Sequence, residues 1–362
     1  MLNTIISEKY ENLKDKRLVD DYIDSKTIKK YILGINKLTK SVLKYIEVDG
    51  IIDDFTRVQS SRKKEILKIE QVPKDSIILW VSTGSPLEVI NTLDDMGYTH
   101  ISYLSFYKYS SFDLADPPFI VDFENDYKNN KNKYEEIYSL LADSKSKKVF
   151  EKVLNFKISF DYNFMKGFTN NHEEQYFDTE LIKDKDDICF VDGGGYVGDS
   201  LAPIMKRFPN FKKIYCIEPN ELHINIAKRN FVQYKNIDFI QCGLGNKVHL
   251  GTAKEKKDNN CSHEYHADNI NTLDNLIKQE VDFIKLDIEG AEQDTIEGAY
   301  NIIKDQNPIL AICIYHKAED WYRVPQKVLA INSNYKIYIR HYMEGIFETV
   351  MYFIPDEKND FS

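Results

Sequence analysis

The chain has 362 residues, 42% of them apolar and 29% charged, with 48 Lys and Arg against 58 Asp and Glu. At about 150 residues per domain, that length predicts two domains. The composition excludes a disordered chain, a collagen and a bare coiled coil. The net charge of −10 argues against a polyanion such as nucleic acid, or a strongly anionic lipid surface, as partner.

The first 26 residues are charged and read as a helical lead-in without the apolar core of a signal peptide. Strands follow at Tyr31–Leu33, 48–54 and 76–83, then a helix that opens at Pro86 and stops at Gly97. THISYLSFY (99–107) reads as a fourth strand. This alternation predicts a small Rossmann-like α/β domain over residues 1–110, with Asp53 and Asp54 at a strand end. It reads either as a degenerate docking unit or as a second nucleotide site. Residues 111–174 read as a helical linker region, its Asn/Lys run at 128–133 as a solvated loop or helix end.

From Asp187 a second alternation begins, with strands at 187–192, 212–219, 237–245, 282–290 and 308–316 and helices between them. A closing pair at 335–342 and 348–355 completes a predicted doubly wound sheet over residues 175–362. Four of the five cysteines lie in apolar runs and no CxxC occurs, so they read as buried hydrophobes. Cys261, His263 and His266 lack zinc spacing and read as a polar loop. No apolar run approaches the ~18 residues of a membrane span, and a cytoplasmic location is expected.

The strongest chemical signal is VDGGGYVGDS (191–200): a buried strand ending in Asp192, then a glycine turn that opens a helix. The spacing Asp192-x-Gly194-x-x-x-Gly198 is not GxGxxG, and no P-loop Lys follows. An acid in the turn repels a pyrophosphate and suits a cationic ligand. Glu218 comes 26 residues later, near the ~20 expected of an acid that grips a ribose diol. A nucleoside with a cationic, phosphate-free tail satisfies both acids, and S-adenosylmethionine (SAM) is one.

Together with IEPN (217–220), DFIKLDIEGAEQDTIEGA (282–299), IYHKAEDWYRVP (314–325) and YIRHYMEGIFETVMYFIP (338–355), this segment resembles the FkbM family of SAM-dependent methyltransferases. The likeness covers about 175–355 and implies a class I methyltransferase fold. It implies O-methylation of a sugar or another hydroxylated natural product, and a sugar, nucleotide-linked or within a glycan, in surface polysaccharide biosynthesis is the expected acceptor. The triple glycine departs from the commoner VDVGAxxG form but keeps Gly194 and Gly198.

Carried over, the resemblance places Asp192, Gly193, Gly194 and Gly198 at the methionine part of SAM. Glu218 falls at the ribose with Asn220 nearby, Cys242 and Gly243 at the adenine, and Tyr176 in a flap over the cofactor. Asp287 and His316 close strands four and five, where open α/β sheets bind ligands. His316 is the expected general base because its ordinary pKa is near neutral, with Asp287 orienting base or hydroxyl. The competing readings make Asp287 a helix cap and His316 a core residue. Asp287, Glu289 and His316 also have the composition of an oxygen-rich Mg²⁺ site. Lys285, Glu289, Arg340 and Tyr342 are expected at the acceptor, Arg340 either on an anionic substrate group or on an internal acid. The alternatives to a methyltransferase are an NAD-dependent oxidoreductase or epimerase, and a non-catalytic scaffold with a relic SAM fold.

Overall fold

The computed structural model describes residues 1–4, 10–54, 60–61, 64–250 and 269–356. Two mainly parallel sheets carry the fold. The first joins β1 (Lys30–Leu33), β2 (Gly50–Ile52), β3 (Ser60–Ser61), β4 (Lys64–Leu67), β5 (Ile77–Trp80) and β6 (Thr99–Ser102) in the order β3-β4-β2-β1-β5-β6. Its helices are α1 (Leu13–Asp24), α2 (Lys37–Val42), α3 (Pro86–Asp95) and α4 (Tyr103–Tyr109). α3 begins where expected, because Pro86 occupies the first helical position, and Gly97 follows its end at φ +73°.

The predicted strand at 99–107 is half right. β6 ends at Ser102, whose side chain accepts from the Ser105 amide and starts α4. The local cap outcompetes the β preference of Tyr103, Phe106 and Tyr107. The Asn/Lys run at 128–133 also differs from expectation. It lies inside α5 (Phe123–Leu140) and shows only as a break at Asn130, where φ is −125°.

α5 is followed by α6 (Ser144–Ser159), capped by Asp143 and ended by Phe160 in the left-handed region. Both helices share one continuous apolar core with the two sheets: Ile78 and Trp80 from the first, Phe123 and Phe150 from the helices, Val191 and Ile284 from the second.

The second sheet comprises β7 (Cys189–Gly193), β8 (Lys213–Ile217) and β9 (Ile237–Ile240), with α7 (Leu201–Arg207) and α8 (Glu221–Asn230) between them. Past β9, the short strands β10 (Gly243–Leu244), β11 (His249–Leu250) and β12 (Asn269–Asn271) form a separate small sheet, where a single strand over 237–245 was expected. Then come α9 (Leu273–Leu276), β13 (Phe283–Leu286), α10 (Glu292–Glu297), α11 (Tyr300–Gln306), β14 (Ile309–Cys313), α12 (Asp320–Ile331), β15 (Tyr335–His341) and β16 (Thr349–Pro355).

The order is β15-β16-β14-β13-β7-β8-β9, with β16 antiparallel to both neighbours and β7, β8, β9, β13 and β14 mutually parallel. This is the expected doubly wound sheet with a closing antiparallel pair. Its order reverses between β7 and β13, the position at which such sheets bind ligands. β7 is buried along its whole length, as its unbroken apolar run predicts. Cys189, Cys216, Cys242 and Cys313 are free and buried; Cys261, His263 and His266 lie outside the described residues. No helix among the described residues is long and apolar enough to cross a membrane.

Candidate active site

At the reversal point the segments that follow β7, β8, β9 and β13 enclose a cleft of about 1000 Å³. The Gly194 turn forms its floor. Gly194 has φ +76°, and a Cβ there would lie 1.8 Å from the Asp287 carbonyl oxygen, so the loops after β7 and β13 meet only because the residue is glycine. Gly198, at φ +86°, is likewise tight against Phe231.

Asp192 and Lys285 are register partners on the adjacent strands β7 and β13. The Lys285 ammonium lies 2.9 Å from Asp192 Oδ1 and donates to the Gly194 carbonyl at 2.7 Å. Ser200 donates to the other Asp192 oxygen. Asp192 is fully buried beneath the floor, and the Lys285 charge is committed to it. These two residues shape the glycine turn, and the Lys285 charge is not free for an acceptor.

Glu218 stands at the end of β8 and lines the cleft. It accepts from the amides of Tyr196 at 3.1 Å and Asn220 at 2.9 Å, and His223 Nδ1 lies 3.6 Å away. Asn220 itself is the α8 cap, its side chain accepting from Leu222 and His223. Cys242, Gly243, Leu244 and Ile270 line the same end.

At the other end Asp287 lies between two tyrosines. Tyr176 donates to Oδ2 at 2.7 Å and Tyr315 to Oδ1 at 3.1 Å. Behind the carboxylate His316 is held on both sides, Nε2 3.4 Å from Asp287 and Nδ1 3.0 Å from Glu292, with Glu289 at 3.9 Å. Burial opposes charge on the ring, but Glu292, Asp287 and Glu289 outweigh it and bring the pKa to about 9. Burial likewise pushes Asp287 up, and His316, Lys285 and the two tyrosines outweigh that and hold it below the ordinary Asp value. The pair is an imidazolium beside a carboxylate. His316 is not among the residues that line the cleft, its side chain is 1% exposed, and its acidic neighbours favour the protonated ring, all of which support a place behind Asp287.

Glu348 faces Asp287 from the start of β16. Burial, then the neighbouring Asp287 charge, raises its pKa to about 8, and Gln175 donates to it. Glu289 is also raised, by burial first. Four non-glycine residues of the cleft wall have left-handed backbone: Tyr176 (φ 69°), Tyr196 (42°), Glu289 (55°) and Glu348 (64°). Such strain concentrates at functional sites.

Arg340 and Tyr342 are not at the cleft. The Arg340 guanidinium pairs with Asp143 at 2.8 Å and Asp178 at 3.2 Å, and donates to Ser146. Tyr342 bonds the Tyr352 hydroxyl at 2.6 Å. Both are buried, so their expected contact with an acceptor is corrected to an internal one.

The expected metal set fits no better. Asp287, Glu292 and His316 bring ligand atoms within 4.8 Å of one another, with Glu292 in place of Glu289. A protonated imidazole has no free lone pair, both Asp287 oxygens accept from tyrosines, and Glu292 Oε1 accepts from the Ile288 amide. Asp287, Cys313 and Glu348 converge similarly, but burial keeps the thiol protonated. Neither donor set suits Mg²⁺.

Reading the sequence missed Tyr315, Glu292 and Phe119. Glu292 closes the run KLDIEGAE (285–292) within the family-like segment, which was the signal available. Phe119 stacks edge-on against Tyr315 and His316, with centroids 5.7 and 5.1 Å away, and nothing local announces it.

No curated protein matches the sequence. The crystal structure of methyltransferase FkbM from Methylobacillus flagellatus KT aligns over 93% of this chain and 92% of that one, with a TM-score of 0.73 at 20% identity. That likeness is one of fold, and at such coverage it takes in the first sheet. A putative rRNA-methylase from Clostridium thermocellum has a TM-score of 0.34 at 10% identity, covering 54% of this chain and 92% of its own. A precorrin-6y C5,15-methyltransferase from Geobacter metallireducens GS-15 has 0.33 at 12%, covering 52% and 89%. Residues 192–343 match the family model described as the methyltransferase FkbM domain. Residues 192–343, which supply most of the lining of this cleft, are thus similar to the methyltransferase FkbM domain.

Proposed function

We propose that this chain is a SAM-dependent O-methyltransferase that modifies a hydroxyl of a sugar, nucleotide-linked or within a glycan, in surface polysaccharide biosynthesis. The observation that carries the SAM reading is the charge of the cleft. Glu173, Asp199, Glu218, Asp287 and Glu289 line it, while the one lysine among the described lining residues is committed to Asp192. Such a wall attracts a sulfonium and an α-amino group and repels the pyrophosphate of a dinucleotide. The rival NAD-dependent reading loses support on that ground.

Glu218 would hold the ribose hydroxyls, and Cys242, Gly243, Leu244 and Ile270 would flank the adenine. Gly194 and Gly198 would shape the methionine end. The cofactor supplies an electrophilic methyl group on sulfur. Transfer to oxygen requires an aligned hydroxyl and an acceptor for its proton. Asp287 is the base in this reading: it is ionised, it faces the cleft, and the Tyr176 and Tyr315 hydroxyls fix its orientation. His316 keeps it ionised from behind. Glu289, half-exposed on the rim, would meet the acceptor.

The direct test is incubation with labelled SAM and a panel of nucleotide sugars, followed by mass spectrometry. A mass gain of one methyl on a sugar hydroxyl is the expected result. Methylation at nitrogen or carbon would overturn the O-methyltransferase reading. A thermal shift with NAD but not with SAM would overturn the cofactor.

A further inference from the structure

The first sheet has the strand order of a nucleotide-binding unit, and α3 begins at its own reversal point, after β5. The amides at a free helix start are open to an anion. Here they are not. Pro86 has no N–H, and the two free amides of the first turn, Leu87 and Glu88, both donate to Glu344 Oε2, at 2.9 and 3.1 Å. Ser85, the residue in the cap position, does not cap the helix with its own side chain. Its hydroxyl accepts from Asn170 instead, at 3.0 Å.

Glu344 belongs to the turn between β15 and β16, more than 250 residues away in sequence. Asn170 ties the same place a second time, accepting from the Glu344 amide at 3.0 Å and donating to the Gly84 carbonyl at 3.0 Å. Next to it the Asn171 amide donates to the Tyr342 carbonyl at 2.9 Å. Gly345 sits so close that a Cβ there would lie 3.2 Å from Pro86 Cγ.

Both segments run directly from this anchor into the cleft. The strap after Asn171 carries His172, Gln175 and Tyr176, and the turn after Gly345 carries Glu348. Tyr176 bonds Asp287, and Gln175 bonds both the Tyr176 hydroxyl and Glu348. Two backbone strains on this wall, Tyr176 and Glu348, lie within six residues of the anchor, and a strained backbone persists only where its surroundings hold it.

We propose that Glu344, with Asn170, is a positioning residue that fastens the Asp287 side of the cleft to the start of α3. The first sheet thereby serves as the platform for that wall, and its helix terminus is occupied by the chain's own carboxylate. The catalytic consequence rests on the methyltransferase reading above; the mechanical link does not.

The test uses hydrogen–deuterium exchange on the full chain. Glu344→Ala is expected to speed exchange about tenfold in 170–176 and 343–348, the effect of losing one helix cap, without altering β7 or β13. Glu344→Gln keeps an oxygen acceptor and is expected to restore most of the protection, which a loss of general stability would not. Binding of S-adenosylhomocysteine, read by calorimetry, is expected to stay within about twofold in both variants, because Glu218 lies at the other end. Unchanged exchange in both segments, or an equal rise throughout the molecule, would overturn the proposal. So would protection of the α3 amides of the unmodified protein by added ADP. If the unmodified protein fails to bind S-adenosylhomocysteine, the cofactor reading falls while the exchange comparison still decides this one.

Discussion

His316 lies directly behind Asp287, its Nε2 3.4 Å from the carboxylate, and its other ring nitrogen is 3.0 Å from Glu292. The histidine therefore acts on the cleft through a neighbour. Its folded pKa of about 9 lies above the ordinary 6.5. Its contribution to stability is thus full below pH 6.5 and is lost as pH rises through 9. Against His316→Gln, the native protein should be more stable by a few kcal/mol at pH 6, at ~1.4 kcal/mol per pKa unit. The gap should narrow by pH 10. Thermal melts at both pH values check this, and a constant gap would mean that the ring is neutral in the fold.

Asp287→Asn removes the charge and keeps the shape. Turnover should fall about 10²–10⁴-fold, the usual worth of a positioned general base. Calorimetry with S-adenosylhomocysteine should show affinity close to native. Full activity in this variant would remove Asp287 as the proton acceptor.

Glu218→Ala should weaken the same ligand by ~2 kcal/mol or more, about 30-fold, because two charge-assisted hydrogen bonds to a diol are lost. Circular dichroism should be unaltered. Unchanged affinity would sink the ribose assignment.

Glu348 has the opposite sign from most carboxyls. Its folded pKa of about 8 exceeds the ordinary 4.5, so the fold favours the protonated form and loses stability as pH rises from 4.5 through 8. Glu348→Gln mimics that form permanently. Its melting temperature should match the native one at pH 5 and exceed it at pH 9. A variant less stable at pH 9 would show that the carboxylate is the native state.

Arg340→Ala should cost about 3–5 kcal/mol of unfolding free energy in urea, since it strands Asp178 without its partner in the interior. Binding of S-adenosylhomocysteine below the melting range should be unaffected. An acceptor-specific defect with normal stability would return Arg340 to the substrate.

Much of the second sheet was legible because its strands are continuous apolar runs ended by glycine or acid, as in FVDGGG and FIKLDIEG. The glycine turn and Glu218 were legible for the same reason: each is adjacent in sequence to the strand that positions it. What stayed hidden depends on pairs far apart in the chain. Lys285 looks like a free cation until β13 is laid beside β7 in register with Asp192. Arg340 and Asp178 are 162 residues apart, and strand alternation alone does not say which side of β15 is buried. His316 reads as near-neutral only while Glu292 and Asp287 are not known to flank it. α4 was lost to a composition that favours strand, because one serine cap decided the local outcome.

The left-handed residues of the cleft wall bear on how this protein would respond to selection. Each holds a side chain where glycine would relieve roughly 1 kcal/mol of backbone strain. Tyr176 spends that energy to hold a hydroxyl on Asp287, and Glu348 to hold a carboxyl beside it. A library enriched for heat resistance alone would drift toward glycine at positions 176, 196, 289 and 348, becoming hardier while the wall of the cleft loses its chemistry. Those four sites should be held constant in any effort to make the protein more robust.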